Sequence, residues 1–436
     1  MYLFAQNKNG PDQWGQVQRL HGADGLAGDY FGRAVAISGD DIIIGAAITA
    51  NITELPPSNL ASSTPSVPGN TQGFAYVFHG VASASTPVNG TVSGHIAAVN
   101  GNPVAGVQVR LSGTQNRLSV TDAQGNYRFD NVVTNGAYTV TPSLLTFTFS
   151  PPERSFNQLA EQTVADFTAL PSGNTLNPID ATAFFVRQHY IDFLNREPDE
   201  PGLNFWITNI DRCGADQSCR DVQVINTSAA FFLSIEFQQT GYLVYRTYQA
   251  AYGDMPNAPV PLTLSEFLPD TRQIGANLVV NQAGWEQQLE SNKQSYMAAF
   301  VQSGRFITAY PVTMSPAEFV DKLFMTAGVV PSSSERTQVI TEFGAATSSA
   351  DTAARGRALR RVAENSRLAQ QEFDSAFVLM QYFGYLRRDP NSGPDTDFSG
   401  YNFWLTKLRA FNGNFQNAEM VKAFLVSGEY RHRFGP

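Results

Sequence analysis

The sequence predicts a multidomain protein with an all-β N-terminal half followed by an all-α helical repeat domain. Three observations carry that prediction. Up to about residue 170, apolar and polar residues alternate in short runs, as they do in strands with one buried face. From about residue 179 the apolar spacing becomes that of helices and the strand-like runs stop. Within this second half one stretch of sequence recurs, the mark of a repeat architecture. At 436 residues the chain has room for several domains of roughly 100–200 residues each.

Composition narrows the function. Apolar residues make up 42 % and charged residues only 15 %, against about 25 % charged in ordinary globular domains. Ser, Thr, Asn, Gln and Gly must therefore cover much of the surface. The net charge is −9, and the only lysines are Lys8, Lys293, Lys322, Lys407 and Lys422. That excludes the basic face a nucleic-acid binder uses to displace counterions. No apolar run approaches the roughly 18–20 residues of a membrane span.

Residues 1–25 lack the basic start, apolar stretch and small-residue cleavage site of a secretory leader. Strand-like runs follow from Trp14 to Leu20, Phe31 to Ser38, Asp41 to Ala46 and Gly73 to Phe78, punctuated by Gly, Asp and Asn. The pairs Phe31-Gly32 and Gly45-Ala46, followed by Gly73-Phe-Ala-Tyr-Val-Phe78, resemble the FG-GAP repeat of integrin-type β-propellers over residues 1–80. Ala47 stands where the family has proline. Family blades that bind calcium use a D-x-D-x-D-G loop; loop 47–72 holds one acid, Glu54, so no calcium is expected there. The resemblance implies a partial propeller blade. A ring takes about four to eight blades, so the expectation is a piece of a longer exported chain, with a cytoplasmic protein as the alternative.

A Ser/Ala/Thr/Pro stretch at 81–88 reads as a linker. Residues 89–170 then give about seven short alternating runs, with turn chemistry at Asp122-Ala-Gln-Gly125. The pattern resembles the carboxypeptidase regulatory-like domain, an Ig/transthyretin-like β-sandwich. That resemblance implies a non-catalytic spacer, or a binder of carbohydrate or protein. Tyr127 and Tyr138 are the candidate glycan contacts, with Phe129, Phe147 and Phe149 as further aromatics. Stacking a sugar needs such a ring outside the core, beside Asn, Asp or Gln. No lysine lies between Lys8 and Lys293, which rules out a Lys–Asn isopeptide bond within this domain.

A second linker is expected at 171–178, and a helical domain of about four units over 179–436. Phe185…Tyr190…Leu194-Asn-Arg196-Glu-Pro198-Asp199-Glu-Pro-Gly202…Trp206 recurs as Phe377…Tyr382…Leu386-Arg-Arg388-Asp-Pro390…Asp397-Phe-Ser-Gly400…Trp404, with six extra loop residues. Each copy later ends in Ser-x-Glu, at Ser234-Ile-Glu236 and Ser427-Gly-Glu429. A degenerate copy between them includes Gly284-Trp285 and Ser303-Gly-Arg-Phe306, and another starts at Phe319. The Arg-x-Pro-Asp-x-x-Gly-x-x-x-Trp core resembles the domain of unknown function 4214 family, common in exported bacterial multidomain proteins and distantly like phycobilisome linker domains. Each motif residue has an expected structural role. Pro198 and Pro390 end a helix, and Asp199 and Asp397 cap the next one. Trp206, Trp285 and Trp404 anchor their units. Arg196 and Arg388 pair with Asp199 and Asp397 or bond loop carbonyls.

Cys213 and Cys219 are the only cysteines, with five residues between them. Neither zinc nor C-x-x-C redox spacing fits; a local disulfide of an oxidising compartment does, with two unpaired thiols as the alternative. The histidines His21, His79, His95, His189 and His432 are scattered and show no ligand or triad spacing. One loop, Asp389-Pro-Asn391-Ser-Gly393-Pro-Asp395-Thr-Asp397, alternates oxygen donors as calcium requires, but Gly400 stands where an EF-hand has its glutamate. No cofactor and no catalytic residue is expected. The sequence thus describes a non-enzymatic, modular, extracellular or cell-surface protein for adhesion, carbohydrate or protein recognition, or surface assembly. The alternative is the accessory region of a secreted hydrolase.

Overall fold

The computed structural model describes residues 2–6, 14–20, 32, 34–38, 41–48, 72–78 and 89–435. Phe31 and the expected linker at 81–88 lie outside the described residues. The chain divides into two compact units: Met1–Thr91 with Asp130–Gly136 and Gln158–Gln162, and Val92–Phe129 with Ala137–Asn157 and Thr163–Pro436.

In the first unit β1 (Tyr2–Gln6) pairs antiparallel with β2 (Trp14–Arg19). β3 (Ala34–Ser38), β4 (Asp41–Ile48) and β5 (Gln72–Phe78) form an antiparallel sheet in that order. The period of two is visible in β4: Ile42 and Ile44 are buried and Ile43 faces out. They join Leu20 and Phe78 in a small core, with Tyr76 packed against it. Gly32 has φ +97° and donates its N–H to the Gly45 carbonyl at 3.1 Å. Left-handed backbone of this kind favours glycine.

The next nine strands are β6 (Asn89–Ala98), β7 (Gln108–Gly113), β8 (Arg117–Val120), β9 (Asn126–Val133), β10 (Tyr138–Ser143), β11 (Phe147–Ser150), β12 (Arg154–Phe156), β13 (Gln162–Val164) and β14 (Phe167–Pro171). They form two sheets, β12-β10-β7-β8 and β11-β14-β6-β13, with β9 also on β6. Val92, Ile96, Val109, Leu111, Phe129 and Val140 are fully buried between them. The turn at Asp122 closes as its sequence implies: Oδ1 accepts the N–H groups of Gln124 and Asn126 at 2.9 and 2.8 Å, and Gly125 takes φ +75°.

Residues 172–177 carry neither helix nor strand. Four successive sets of four helices follow. The first is α1 (Thr182–His189), α2 (Glu200–Asp211), α3 (Gln217–Leu233) and α4 (Ile235–Gln239). The second is α5 (Gly241–Tyr252), α6 (Leu264–Ile274), α7 (Trp285–Phe300) and α8 (Gly304–Ala309). The third is α9 (Pro316–Thr326), α10 (Ser333–Ile340), α11 (Thr352–Ala363) and α12 (Ser366–Gln371). The fourth is α13 (Phe373–Gln381), α14 (Ser399–Ala410), α15 (Met420–Leu425) and α16 (Gly428–His432). The fourth helix of each set is built alike. Ser234, Ser303, Asn365 and Ser427 cap it, each accepting the N–H three residues on. The residue that donates, Phe237, Phe306, Leu368 or Tyr430, is buried in every set.

The first and last sets meet. Phe232 packs edge-on against Phe377 at 4.7 Å. Buried Asp192 accepts both Nη groups of Arg433, at 2.8 and 2.9 Å. Arg431 makes a two-pronged pair with Asp180 at 2.8 Å, and Asn177 donates to the Arg431 carbonyl at 3.0 Å. The sandwich segment Val92–Phe129 belongs to the same unit as the array and packs on it. Val120 belongs to the array's core and Leu118 packs against it. Arg117 on β8 forms a two-pronged pair with Glu200 at the start of α2, Nε donating at 2.7 Å. Gly106, at φ +77°, leaves room for the Phe184 ring; a Cβ there would collide with it. Among the described residues no helix is long and apolar enough to cross a membrane.

Candidate ligand pocket on the first helical set

The recurring motif builds a compact polar site. After α1 the chain makes a π-turn, Tyr190–Leu194, and reverses at Asn195, which takes φ 55°. Arg196 follows, then Pro198 and Asp199. Asp199 caps α2, its Oδ2 accepting the Gly202 N–H at 3.0 Å, and Pro201 sits in the first turn where no N–H partner is needed. Gly202 has a second reason to be glycine: a Cβ there would run into the Tyr190 hydroxyl.

Arg196 is the centre of the network. Its Nε and Nη2 donate to the two carboxylate oxygens of Glu236 at 2.7 and 2.8 Å. Nη1 donates to Asp199 Oδ1 and to the Glu197 carbonyl, both at 3.1 Å. The guanidinium lies 4.9 Å over the Tyr190 ring. Burial pushes the Tyr190 hydroxyl up to about 12, so it stays protonated. Beside this network Trp206 tilts onto Phe231 at 5.7 Å, and Phe205 stands 4.8 Å from Trp206 with its ring 58 % exposed. Together with Ile235, Asn281 and Gln282 these groups line a cavity of about 470 Å³.

The fourth set repeats the plan with changes. It has a π-turn at Tyr382–Leu386, Arg387 at φ 56°, and a Tyr382 hydroxyl that would lie 2.8 Å from a Cβ at Gly400. Arg388 donates Nε and Nη2 to Glu429 at 2.5 and 3.1 Å. Pro390 is buried at the start of the longer loop. Phe403 is again 58 % exposed beside Trp404, but here the Lys407 ammonium lies 5.3 Å over the Trp404 ring.

Several expectations are corrected. Arg388 bonds the loop carbonyls of Asp389 and Ser392, at 3.1 and 2.7 Å, as one expected alternative had it, but its acidic loop partner is Asp395 at 2.7 Å, not Asp397, because the six extra loop residues bring Asp395 to it. Asp397 lies one residue before the N-cap, Phe398, and its Oδ1 accepts from Ser399 N–H at 2.8 Å. Trp285 opens α7, the third helix of its set, and so is not the counterpart of Trp206 and Trp404 in second helices. All three tryptophans are half-buried at the edge of the core. Tyr127 and Tyr138 are 3 % and 2 % exposed. Both rings lie on the inward side of their strands, so neither offers a face to a sugar. The loop carboxylates of 389–397 are engaged by protein: Asp389 accepts from Leu264 N–H at 2.7 Å, while Asp395 and Asp397 are held as above. Among the described residues no group of three His, Cys, Asp or Glu is placed to hold a metal ion.

Cys213 and Cys219 are disulfide-bonded, with Cα atoms 5.5 Å apart. The bridge joins the turn after α2 to the first turn of α3, whose cap Asp216 accepts from Cys219 N–H at 3.1 Å. Sequence reasoning gave no role to Glu236, Glu429, Phe205 or Phe403. The recurrence of Ser-x-Glu and of Phe before Trp was the available signal.

Two family matches lie in the β half. The FG-GAP repeat family matches residues 14–78, and the carboxypeptidase regulatory-like domain family matches residues 91–169. No curated protein matches the chain, and no solved structure does. The chain is similar over these segments to non-catalytic repeat and regulatory domains, a combination that fits a modular cell-surface or extracellular protein.

Proposed function

We propose that this is a non-enzymatic bacterial protein that acts outside the cell by binding, with the β modules and the helical array as separate recognition or assembly surfaces. The observation that carries the proposal is the pairing of an FG-GAP match with a carboxypeptidase regulatory-like match in one chain. The disulfide supports an oxidising compartment. For residues 179–436 we propose kinship with the domain of unknown function 4214 family, on the strength of the Arg-x-Pro-Asp-x-x-Gly-x-x-x-Trp core at 196–206 and its recurrence, with six inserted residues, at 388–404. Binding rather than catalysis is supported by the fate of His189. It is 1 % exposed and closed in by Phe185, Phe193, Phe231 and Tyr385, where no substrate reaches it.

The test is fractionation of producing cells with thiols trapped at lysis. The expected result is protein in the surface or medium fraction with neither cysteine alkylated. Cytoplasmic protein with two alkylated thiols would overturn the proposal.

A further inference from the structure

We propose that the cavity beside Phe205 and Trp206 binds a single sugar residue of a glycan. This rests on the recognition function above and supplies its ligand class and place. A sugar site needs an accessible aromatic face for the C–H side of the ring and fixed polar groups for the hydroxyls. The sandwich tyrosines fail the first condition, since both are buried. Phe205 meets it at 58 % exposure, and the half-buried Trp206 ring stands nearly perpendicular to it, at 76°, so the two form adjoining walls.

The polar condition is met twice. Asn281 and Gln282 line the cavity with exposed side-chain amides, which both donate and accept. Behind them Arg196 is held by four hydrogen bonds to Glu236, Asp199 and the Glu197 carbonyl, so the charged floor needs no rearrangement to receive a ligand. The volume, about 470 Å³, falls in the roughly 300–1,000 Å³ of small-molecule sites. A hydrocarbon side chain seated there would strip water from the charged floor without replacing its hydrogen bonds. A sugar's hydroxyls replace them. The fourth set supplies an internal contrast. Its Phe403 is equally exposed, but Lys407 lies over the Trp404 ring where the first set has Asn209.

The experiment applies the full chain to an array of glucose-, galactose-, mannose- and N-acetylglucosamine-terminated oligosaccharides. Any oligosaccharide retained is then titrated by tryptophan fluorescence. Phe205→Ala is expected to weaken binding roughly ten-fold and Asn281→Ala roughly three-fold, both with unchanged thermal melts. Phe403→Ala is expected to leave binding unchanged. Retention of no oligosaccharide overturns the proposal. Retention that Phe205→Ala does not weaken also overturns it, while leaving the recognition function standing with its site elsewhere. Phe205-dependent capture of Leu/Phe-rich peptides from a peptide array, with no sugar bound, overturns it in favour of a protein ligand.

Discussion

Glu236 and Arg305 hold the same place in successive helical sets and carry opposite charges. Each is the second residue of its set's fourth helix, one residue before the buried anchor Phe237 or Phe306. Glu236 pairs with Arg196 at 2.7 Å, and Arg305 pairs with Glu266 at 2.8 Å. The other sets follow suit, Arg367 with Glu335 at 3.2 Å and Glu429 with Arg388 at 2.5 Å. In every set an ion pair ties the fourth helix to the second helix or to the loop that leads into it; the outer sets run it one way and the inner sets the other.

The Arg196–Glu236 pair is the least exposed of the four, so breaking it strands a charge. Arg196→Met and Glu236→Gln should each cost about 3 kcal/mol. The double variant should cost less than their sum by about 1–3 kcal/mol. Urea unfolding of the four proteins measures this; simple additivity would show the pair to be uncoupled.

Gly202→Ala should destabilise the first set by about 1–3 kcal/mol, because the methyl group overlaps the Tyr190 hydroxyl. Removing that oxygen relieves the overlap. The double variant Tyr190→Phe, Gly202→Ala should therefore melt above Gly202→Ala alone. A double variant no better than the single would place the strain elsewhere.

His189 makes stability depend on pH. Its Nδ1–H donates to the Phe185 carbonyl at 2.8 Å and its Nε2 accepts from Ser228 at 2.6 Å, an arrangement of the neutral ring. Burial, with Arg433 nearby, lowers its pKa from 6.5 to about 4. The unfolded chain thus binds a proton that the folded chain refuses. The neutral ring's contribution is complete above pH 6.5 and is lost as pH falls from 6.5 to about 4, roughly 3 kcal/mol in all. His189→Gln should flatten that slope by one proton. An unchanged slope would assign it to other groups.

The seam between sandwich and array should respond to Arg117→Ala. The substitution removes both bonds to Glu200 while leaving the β8 backbone paired with β7. Hydrogen exchange at the start of α2 should rise several-fold, with β10 and β7 amides unaffected. Uniform change across both parts would mean that the sandwich itself depends on Arg117.

What could be read in advance depended on whether a residue's role is local. The strand run from Asp41 to Ala46, the Asp122 turn and the Cys213–Cys219 bridge are each set by neighbours within a few residues. The loop carboxylate that Arg388 takes was not legible, because three aspartates lie in the loop that follows and only the folded loop chooses Asp395. Trp285 looked like a repeat position because Gly-Trp fitted a degenerate pattern, yet a frame of four helices puts it in the third. Leu118 and Val120 could not be told from ordinary sandwich core, since alternation shows that a face is buried and not what buries it. The same limit hid the pocket. Helical spacing put Trp206 at an anchor position, and it took the fold to show Phe205 outside it and the Val280–Gln282 segment beside it.

The pairing of Arg431 with Asp180 bears on how this array can evolve. Open solenoids gain and lose repeats at their ends because each unit touches only its neighbours. Here the terminal sets are neighbours of one another, through Asp192–Arg433, Phe232–Phe377 and the Asn177 clasp. A fifth set would have to part those contacts, and loss of one would leave two unlike faces to meet. The contacts between these two sets thus oppose insertion or loss of a set between them, and variation is accommodated within sets, by loop length as at 389–397 and by exchange of charge as between Glu236 and Arg305.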